Sequence, residues 1–231
     1  MDDFEIETLA LETSASAAPE LMEFYGARLG LETVSSADGG VEVAVGGAKL
    51  VLHPSAGDPF HHFALLVPAD RFEAARAWIT GATELLGGGR GPVFEFAAWS
   101  ARAVYFTDPA GNIVELISHR GVGEPGAGGP FSGDELLGIS EAGLVVAEPA
   151  AAARLLGVAG VPVWDGDPGA GIAFAGRKGH TLVLSSPERN WMPTKRRATP
   201  FRTEVTARAG GGRIVVVGDR EGRLEVAGGR G

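Results

Sequence analysis

The sequence predicts an α+β protein built from tandem modules, each with the order strand, helix, strand, strand, strand (βαβββ). Hydrophobic residues alternate between the period of two that is typical of strands and the spacing that is typical of helices. The same order of elements recurs with a spacing of about 50 residues, and such a repeat is itself evidence of a modular topology. The opening strands of two copies also align residue by residue, TLALETSA (8–15) against HFALLVPA (62–69).

The first module occupies the N-terminal quarter of the chain. Residues 5–13 alternate apolar and polar side chains, which predicts a half-buried strand. Pro19 stands where a helix can start, apolar residues follow at helical spacing, and Gly30 ends the run. Short strands separated by DGG and GG turns are predicted at 31–35, 41–45 and 49–53.

The second module repeats this order. Residues 62–67 (HFALLV) predict a strand, and Asp70 is the expected N-cap of a helix that carries an apolar stripe. The following strands are predicted at 84–86 or 93–96, at 103–107 and at 113–117.

The remaining chain predicts a third copy and a shortened fourth copy. The third has a strand at 139–146, a helix at 149–156 and strands at 161–164, 172–174 and 181–184. The fourth, 201–226, has strands but no room for a helix. We therefore expect residues 1–120 to form one unit of two complete modules, 121–135 a Gly/Pro-rich linker, and 136–231 a smaller, degenerate unit.

Composition narrows the function classes. The 231 residues are 45% hydrophobic, which suffices for a sizeable core. A formal net charge of −9 argues against binding to nucleic acid or to anionic membranes. The absence of cysteine excludes disulfides, thiolate metal sites and cysteine nucleophiles. Neither a signal peptide nor a transmembrane run is recognisable, so a cytoplasmic location is expected.

One motif connects these repeats with a known family. YFTDPAGNIVEL (105–116) contains a DPAGN turn that leads into a strand with a glutamate, and it is preceded by the opening strand HHFAL (61–65). In this setting the motif resembles the glyoxalase/bleomycin resistance protein/extradiol dioxygenase group, the vicinal oxygen chelate superfamily. The resemblance covers 61–120 best and extends to 5–54. It implies that paired modules wrap into cupped mixed-sheet barrels, here two of them.

The resemblance also implies a metal site in the cup, with histidine on first strands and glutamate on last strands. It maps these ligands onto His62 and Glu115. The alternation of side chains along the strand supports this assignment, because it places Glu115 between two isoleucines on one face. A carboxylate in such a position is unfavourable unless it is paired or metal-bound. A structural role is the alternative, with His62 as an ordinary polar residue and Glu115 paired to Arg102 or Arg120.

The third ligand is less well defined by the sequence. Thr8 and Val51 occupy the aligned positions of the first module and are poor ligands. His53, two residues beyond Val51 on the same strand face, is the best local candidate, and Glu12 is another. The third module has Glu141 and Val183 at the aligned positions and therefore lacks the pair, which places the expected site in the N-terminal half.

Two further features of the sequence lie in predicted loops. Trp99 and Trp191 lie in loop-like regions, where they could either wall an aromatic pocket or pack at a rim. The run of Lys195, Arg196 and Arg197 between two prolines is interpreted as a solvated loop.

Two function classes follow. The first is a divalent-metal-dependent enzyme, with Fe(II), Mn(II), Ni(II) or Zn(II), that acts on a small substrate with vicinal oxygens; a ring-cleaving dioxygenase is one version. The second is a metal-free small-molecule binding protein of the bleomycin-resistance type. Neither needs an organic cofactor, no catalytic residue is assigned, and a homodimer is compatible with both. Metal content distinguishes the two classes.

Overall fold

The computed structural model describes residues 3–87, 91–126 and 128–229, which form two open β-sheets and three helices. The first module runs in the predicted order. Its elements are β1 (Glu5–Ser14), α1 (Ala18–Leu21, continued by a π-helical segment, Met22–Arg28), β2 (Thr33–Ser35), β3 (Val41–Val45) and β4 (Ala48–Ser55).

The other modules follow the same plan, and the fourth has no helix, as predicted. The second contains β5 (His62–Leu66), α2 (Phe72–Thr80), β6 (Leu85–Leu86), β7 (Phe94–Phe96), β8 (Ala101–Thr107) and β9 (Ile113–His119). The third contains β10 (Gly138–Val145), α3 (Pro149–Val158), β11 (Val163–Asp167), β12 (Ile172–Arg177) and β13 (His180–Ser185). The fourth contains β14 (Thr203–Ala209), β15 (Gly212–Gly218) and β16 (Leu224–Gly229).

Asp70 is not the N-cap of α2. A short 3₁₀ turn, Ala69–Arg71, precedes the helix. The N-cap residue of α2 is Arg71, and its side chain makes no capping hydrogen bond. The Asp70 carboxylate instead accepts a hydrogen bond from the backbone N–H of Gly126, at 3.2 Å. The N-cap prediction was wrong because a carboxylate can satisfy a distant backbone donor as well as a local one.

The sheets combine the modules differently from the expectation. The first sheet has the order β16-β15-β14-β1-β4-β3-β2 and joins the first and fourth modules. The second sheet has the order β11-β12-β13-β10-β5-β9-β8-β6, with β7 beside β8, and joins the second and third modules. Strand pairing therefore crosses the predicted boundary at 121–135, and residues 1–120 do not share one cup. Both sheets are open rather than closed barrels.

The physical reason lies in the edges of the opening strands. Each of β1, β5 and β10 pairs in parallel with the last strand of its own module. The opposite edge of each opening strand remains available, and it is filled by an antiparallel opening strand, β14 beside β1 and β10 beside β5. Local sequence patterns specify the free edge but not which module fills it.

The main core lies between the sheets and the helices. Leu9 and Leu11 of β1 and Phe63 and Leu65 of β5 are buried in this one apolar cluster. The opposite face of the second sheet carries a separate apolar cluster that includes Ala64. The second sheet is therefore covered on both faces, and this second cluster surrounds the candidate site described below.

The described part of 121–135 packs against the second module. Arg71 Nε donates to Glu135 at 2.7 Å, with both side chains mostly buried, and the Phe131 ring lies 5.2 Å from the Trp78 ring. Over the ranges that the structure describes, no helix has the length and apolar character of a membrane span.

Candidate metal centre

Three adjacent strands bring the candidate ligands together. Ala64 of β5 is the register partner of both Glu115 on β9 and Glu141 on β10. The two glutamates therefore flank a small side chain, which leaves space between them. His62 precedes Ala64 by two residues and shares its face, because side chains alternate along a strand.

A β-bulge turns Glu141 toward this face. The register of β10 against β5 shifts between Ile139 and Glu141. Ile139 and Ala142 both lie in the main core, although they are three positions apart, whereas regular alternation would place Ile139 and Glu141 on the same face. The extra residue, Ser140, re-aims the carboxylate, which is a common use of bulges.

The side-chain tips converge closely. His62 Nε2 lies 3.7 Å from Glu115 Oε2 and 3.7 Å from Glu141 Oε2. One potential ligand atom from each of the three residues lies within 4.8 Å of the others. Relative exposures of 6%, 2% and 4% for His62, Glu115 and Glu141 show that the group is buried.

The tautomer of His62 is set by the backbone. Its Nδ1 lies 3.1 Å from the carbonyl oxygen of Ile113, and a carbonyl can only accept, so Nδ1 carries the hydrogen. Nε2 then faces the two carboxylates and is the nitrogen that would bind an ion. This is the arrangement that orients histidine ligands in metal sites.

The electrostatics call for a cation or a proton at this point. Burial raises the pKa of Glu115 well above its usual range, and the nearby Glu141 carboxylate raises it further. In the described part of the chain, no Lys or Arg forms an ion pair with either carboxylate. Arg102, one of the partners considered for Glu115, instead donates to Glu73 at 2.9 Å and stacks on Phe72.

The donor set fits a divalent metal ion. Imidazole and carboxylate ligands bind such ions at about 2.0–2.2 Å, so donors that share one ion must converge to within a few ångströms, as these do. Three protein ligands leave coordination positions open for a substrate. Val183 on β13 is the register partner of Gly143 on β10. It lines the same cavity and offers no ligand atom.

His53 lies elsewhere, on the first sheet, so the prediction of His53 as third ligand is corrected. Its Nδ1 pairs with Asp38 Oδ2 at 2.6 Å, and its side chain is 48% exposed. Glu12, the other candidate, is the partner of Arg220 at 3.0 Å. Both expectations assumed that the first two modules share a cup, which the sheet topology contradicts.

Glu141 is the ligand candidate that sequence reasoning set aside. The alignment of opening strands already placed it at the position of His62, which was the available signal. The sequence of its own module argues against it, because that module lacks a second ligand. The structure resolves this, since the second and third modules contribute to one site.

A cavity of about 310 Å³ opens above the three residues. Aromatic rings form much of its wall: Phe96, Trp99, Tyr105, Phe174 and Trp191. The Trp191 ring lies 5.0 Å from the His62 ring, and the Trp99 ring lies 4.6 Å from that of Phe174. Both tryptophans left open by the sequence therefore line the pocket.

Comparisons with known proteins show similarity at the level of the fold. No protein-family profile and no curated protein matches the sequence. A candidate dioxygenase from Bacillus subtilis is similar in structure, with a TM-score of 0.59, 15% identity, and coverage of 98% of this chain and 85% of that chain. A single-residue variant of glyoxalase I from Zea mays has a TM-score of 0.54 and 12% identity, covering 97% and 92%. The chain thus has the glyoxalase/dioxygenase fold along nearly its whole length, as predicted.

Proposed function

We propose that the chain is a divalent-metal-dependent enzyme that acts on a small substrate with vicinal oxygen atoms. The observation that carries the proposal is the buried convergence of His62, Glu115 and Glu141 on one point, without a cationic side chain paired to the carboxylates in the described residues. Buried carboxylates of this kind are unfavourable unless a cation or proton compensates them.

The chain's own residues suit such a site. The Ile113 carbonyl holds His62 with Nε2 directed inward, and Tyr105, the register partner of Glu115, lines the same cavity. The aromatic walls lower the local dielectric, which strengthens every charge interaction in the cavity. A bound ion would supply Lewis-acid polarisation of the substrate oxygens.

The ligand chemistry favours reactions without a redox change at the metal. Non-haem iron centres that activate oxygen typically use two histidines and one carboxylate. This site has one histidine and two carboxylates, a harder donor set that suits Mn(II), Zn(II) or Ni(II) as well as Fe(II). We therefore place isomerase- or lyase-type chemistry ahead of ring cleavage.

The test is metal retention. The purified protein is loaded in turn with Fe(II), Mn(II), Ni(II) and Zn(II), desalted, and assayed for metal content. We expect about one ion per chain for at least one metal, and loss of that ion in His62→Ala and in Glu115→Ala, because a three-ligand site cannot spare a ligand. Val183→Ala, in the same cavity but without a ligand atom, should retain it.

Failure of every metal to remain bound would favour the second function class. The cavity would then hold a small molecule through its aromatic wall alone. A raised pKa keeps Glu115 protonated to higher pH in the metal-free protein, and a protonated carboxyl can donate a hydrogen bond to such a ligand.

A further inference from the structure

The loop of residues 187–200, here called the strap, joins β13 to β14 and covers one side of the cavity. It is internally fixed: Trp191 N–H donates to the Arg196 carbonyl at 2.9 Å, and Ala198 N–H donates to the Arg189 carbonyl at 2.8 Å. Trp191 and Ala198 belong to the apolar cluster on this face of the second sheet. The strap is therefore a fixed wall of the cavity.

The three arginines of the strap differ in what they contact. Arg196 lies with its guanidinium 3.5 Å from the centre of the Phe60 ring and also donates to the Gly111 carbonyl. Arg197 donates to the Pro187 carbonyl at 2.7 Å and pairs with Glu188 at 3.2 Å. The run of residues 195–197 is an exposed loop, as predicted, and its two arginines also make contacts that hold the strap.

The side chain of Arg189, in contrast, takes no part in holding the strap. It lines the cavity, and within the described ranges its guanidinium has no hydrogen bond and no ion pair. Its backbone is nevertheless pinned, since its N–H donates to the Ser186 carbonyl at 3.2 Å and its own carbonyl accepts from Ala198. A fixed backbone with an unpartnered guanidinium at a cavity is an arrangement that suits binding of an oxyanion.

The charge balance of the cavity points the same way. Its charged lining consists of Glu115, Glu141 and Arg189, with His62 beside them. A divalent ion would neutralise the two carboxylates, and the guanidinium, which stays protonated in proteins, would leave one positive charge. The chain as a whole carries −9, but Arg189 is the one Lys or Arg among the described residues that line this cavity.

We propose that Arg189 determines specificity by binding a carboxylate on the substrate, while the vicinal oxygens at the opposite end would chelate the divalent ion that His62, Glu115 and Glu141 would hold. The aromatic wall of the same cavity, which includes Phe174 and Trp191, suits a flat apolar body. The substrate class is thus a planar monoanion with a chelating end. This inference rests on the proposed metal-dependent function and deepens it.

Two probes that differ by one charge test this directly. Benzohydroxamate presents two adjacent oxygens for chelation, and 4-carboxybenzohydroxamate adds a carboxylate at the far end of the same ring. Their dissociation constants are measured by calorimetry on Zn(II)-loaded protein at neutral pH. We expect the carboxylated probe to bind about 3- to 5-fold more tightly to the wild type, as for one charge-assisted contact at an exposed position. The preference should shrink with added salt.

The variants assign that preference to a residue. Arg189→Gln should bind both probes equally and keep the wild-type affinity for benzohydroxamate, which also shows that it is folded and metal-loaded. Lys195→Gln removes one positive charge from an exposed position of the same strap without touching the contacts that hold it, so it is the matched control and should keep the preference.

Each other result overturns the inference. Equal binding of both probes by the wild type, or a preference that survives in Arg189→Gln, removes the role of Arg189 while metal retention and benzohydroxamate binding leave the proposed function intact. An equal loss in Lys195→Gln would indicate a general charge effect instead. Absence of metal retention would defeat the proposed function and this inference together.

Discussion

The two sheets share the same central pairing of opening strands but differ in the side chains that they display. In each, two opening strands meet antiparallel, β1 with β14 and β5 with β10. At aligned positions the first module has Thr8 and Val51 where the second has His62 and Glu115. On the first sheet the neighbouring charges form accessible pairs, such as Arg220 with Glu12, in which the arginine side chain is 46% exposed. On the second sheet the carboxylates are buried.

The strap, which covers the candidate site on the second sheet, accounts for much of this difference. The strap places Trp191 against His62 and closes the apolar cluster of the second sheet. His53, on the first sheet, has a side chain that is 48% exposed and is balanced by Asp38. The comparison shows that duplicating a module duplicates the scaffold, while a few side chains and a covering loop decide which copy carries chemistry.

The largest expected effect separates the two sheets by metal retention. Glu141→Gln should weaken metal binding by at least about 100-fold, because replacing a ligand matters no less than replacing its outer partners, which costs 10–100-fold. His53→Asn should leave binding unchanged, since His53 lies on the other sheet. Metal content after desalting and titration with a competing chelator measure both; a loss in His53→Asn equal to that in Glu141→Gln would contradict the assignment.

Packing under the strap gives the next effect. A Cβ at Gly143 would lie 2.7 Å from the His62 carbonyl oxygen and 3.0 Å from the Trp191 ring. Gly143→Ala should therefore destabilise the protein by about 1–3 kcal/mol through overpacking. Urea unfolding measures this, with Gly47→Ala on the first sheet as the control, because nothing lies within 4 Å of a Cβ there. Equal stability of the two variants would show that the strap does not press on β10.

A buried histidine of the second sheet should make stability depend on pH. Burial, followed by the charge of Arg177, lowers the pKa of His180 from 6.5 to about 4. Between these values the unfolded chain binds the proton and the folded chain does not, so this contribution to stability is complete above pH 6.5 and is lost as the pH falls toward 4. His180→Gln should reduce the slope of unfolding free energy against pH by up to about 1.4 kcal/mol per unit. An unchanged slope from pH 6 to pH 5 would refute this.

The smallest effect belongs to the first sheet. Arg220→Gln removes a partly exposed ion pair with Glu12 and should cost less than about 1 kcal/mol at low salt, and less still at high salt. Thermal unfolding at two salt concentrations checks it. A loss of several kcal/mol would mean that the first sheet also depends on a buried charge network.

The sequence predicts local features well because local chemistry specifies them. The DPAGN turn forms as expected, with the Asp108 carboxylate accepting from the N–H groups of Ala110 and Asn112. His62 and Glu115 lie on parallel neighbouring strands, so alternation alone places them on one face. These inferences needed only periodicity and the order of the module.

The prediction failed where long-range pairing decides. Which opening strand fills the free edge of β5 depends on the packing of the whole chain, and the wrong choice led to His53 instead of Glu141. The bulge at Ser140 adds a second obstacle, because regular alternation from Ile139 would direct Glu141 into the core. Neither feature leaves a periodic signal in the sequence.

The most direct test of the central claim is anomalous diffraction from a crystal soaked in Mn(II) or Zn(II). The account predicts one strong peak between His62 Nε2, Glu115 Oε2 and Glu141 Oε2, at about 2.0–2.2 Å from each ligand. A peak on the first sheet near His53 and Glu12, or none at the second sheet under conditions that saturate other sites, would contradict it.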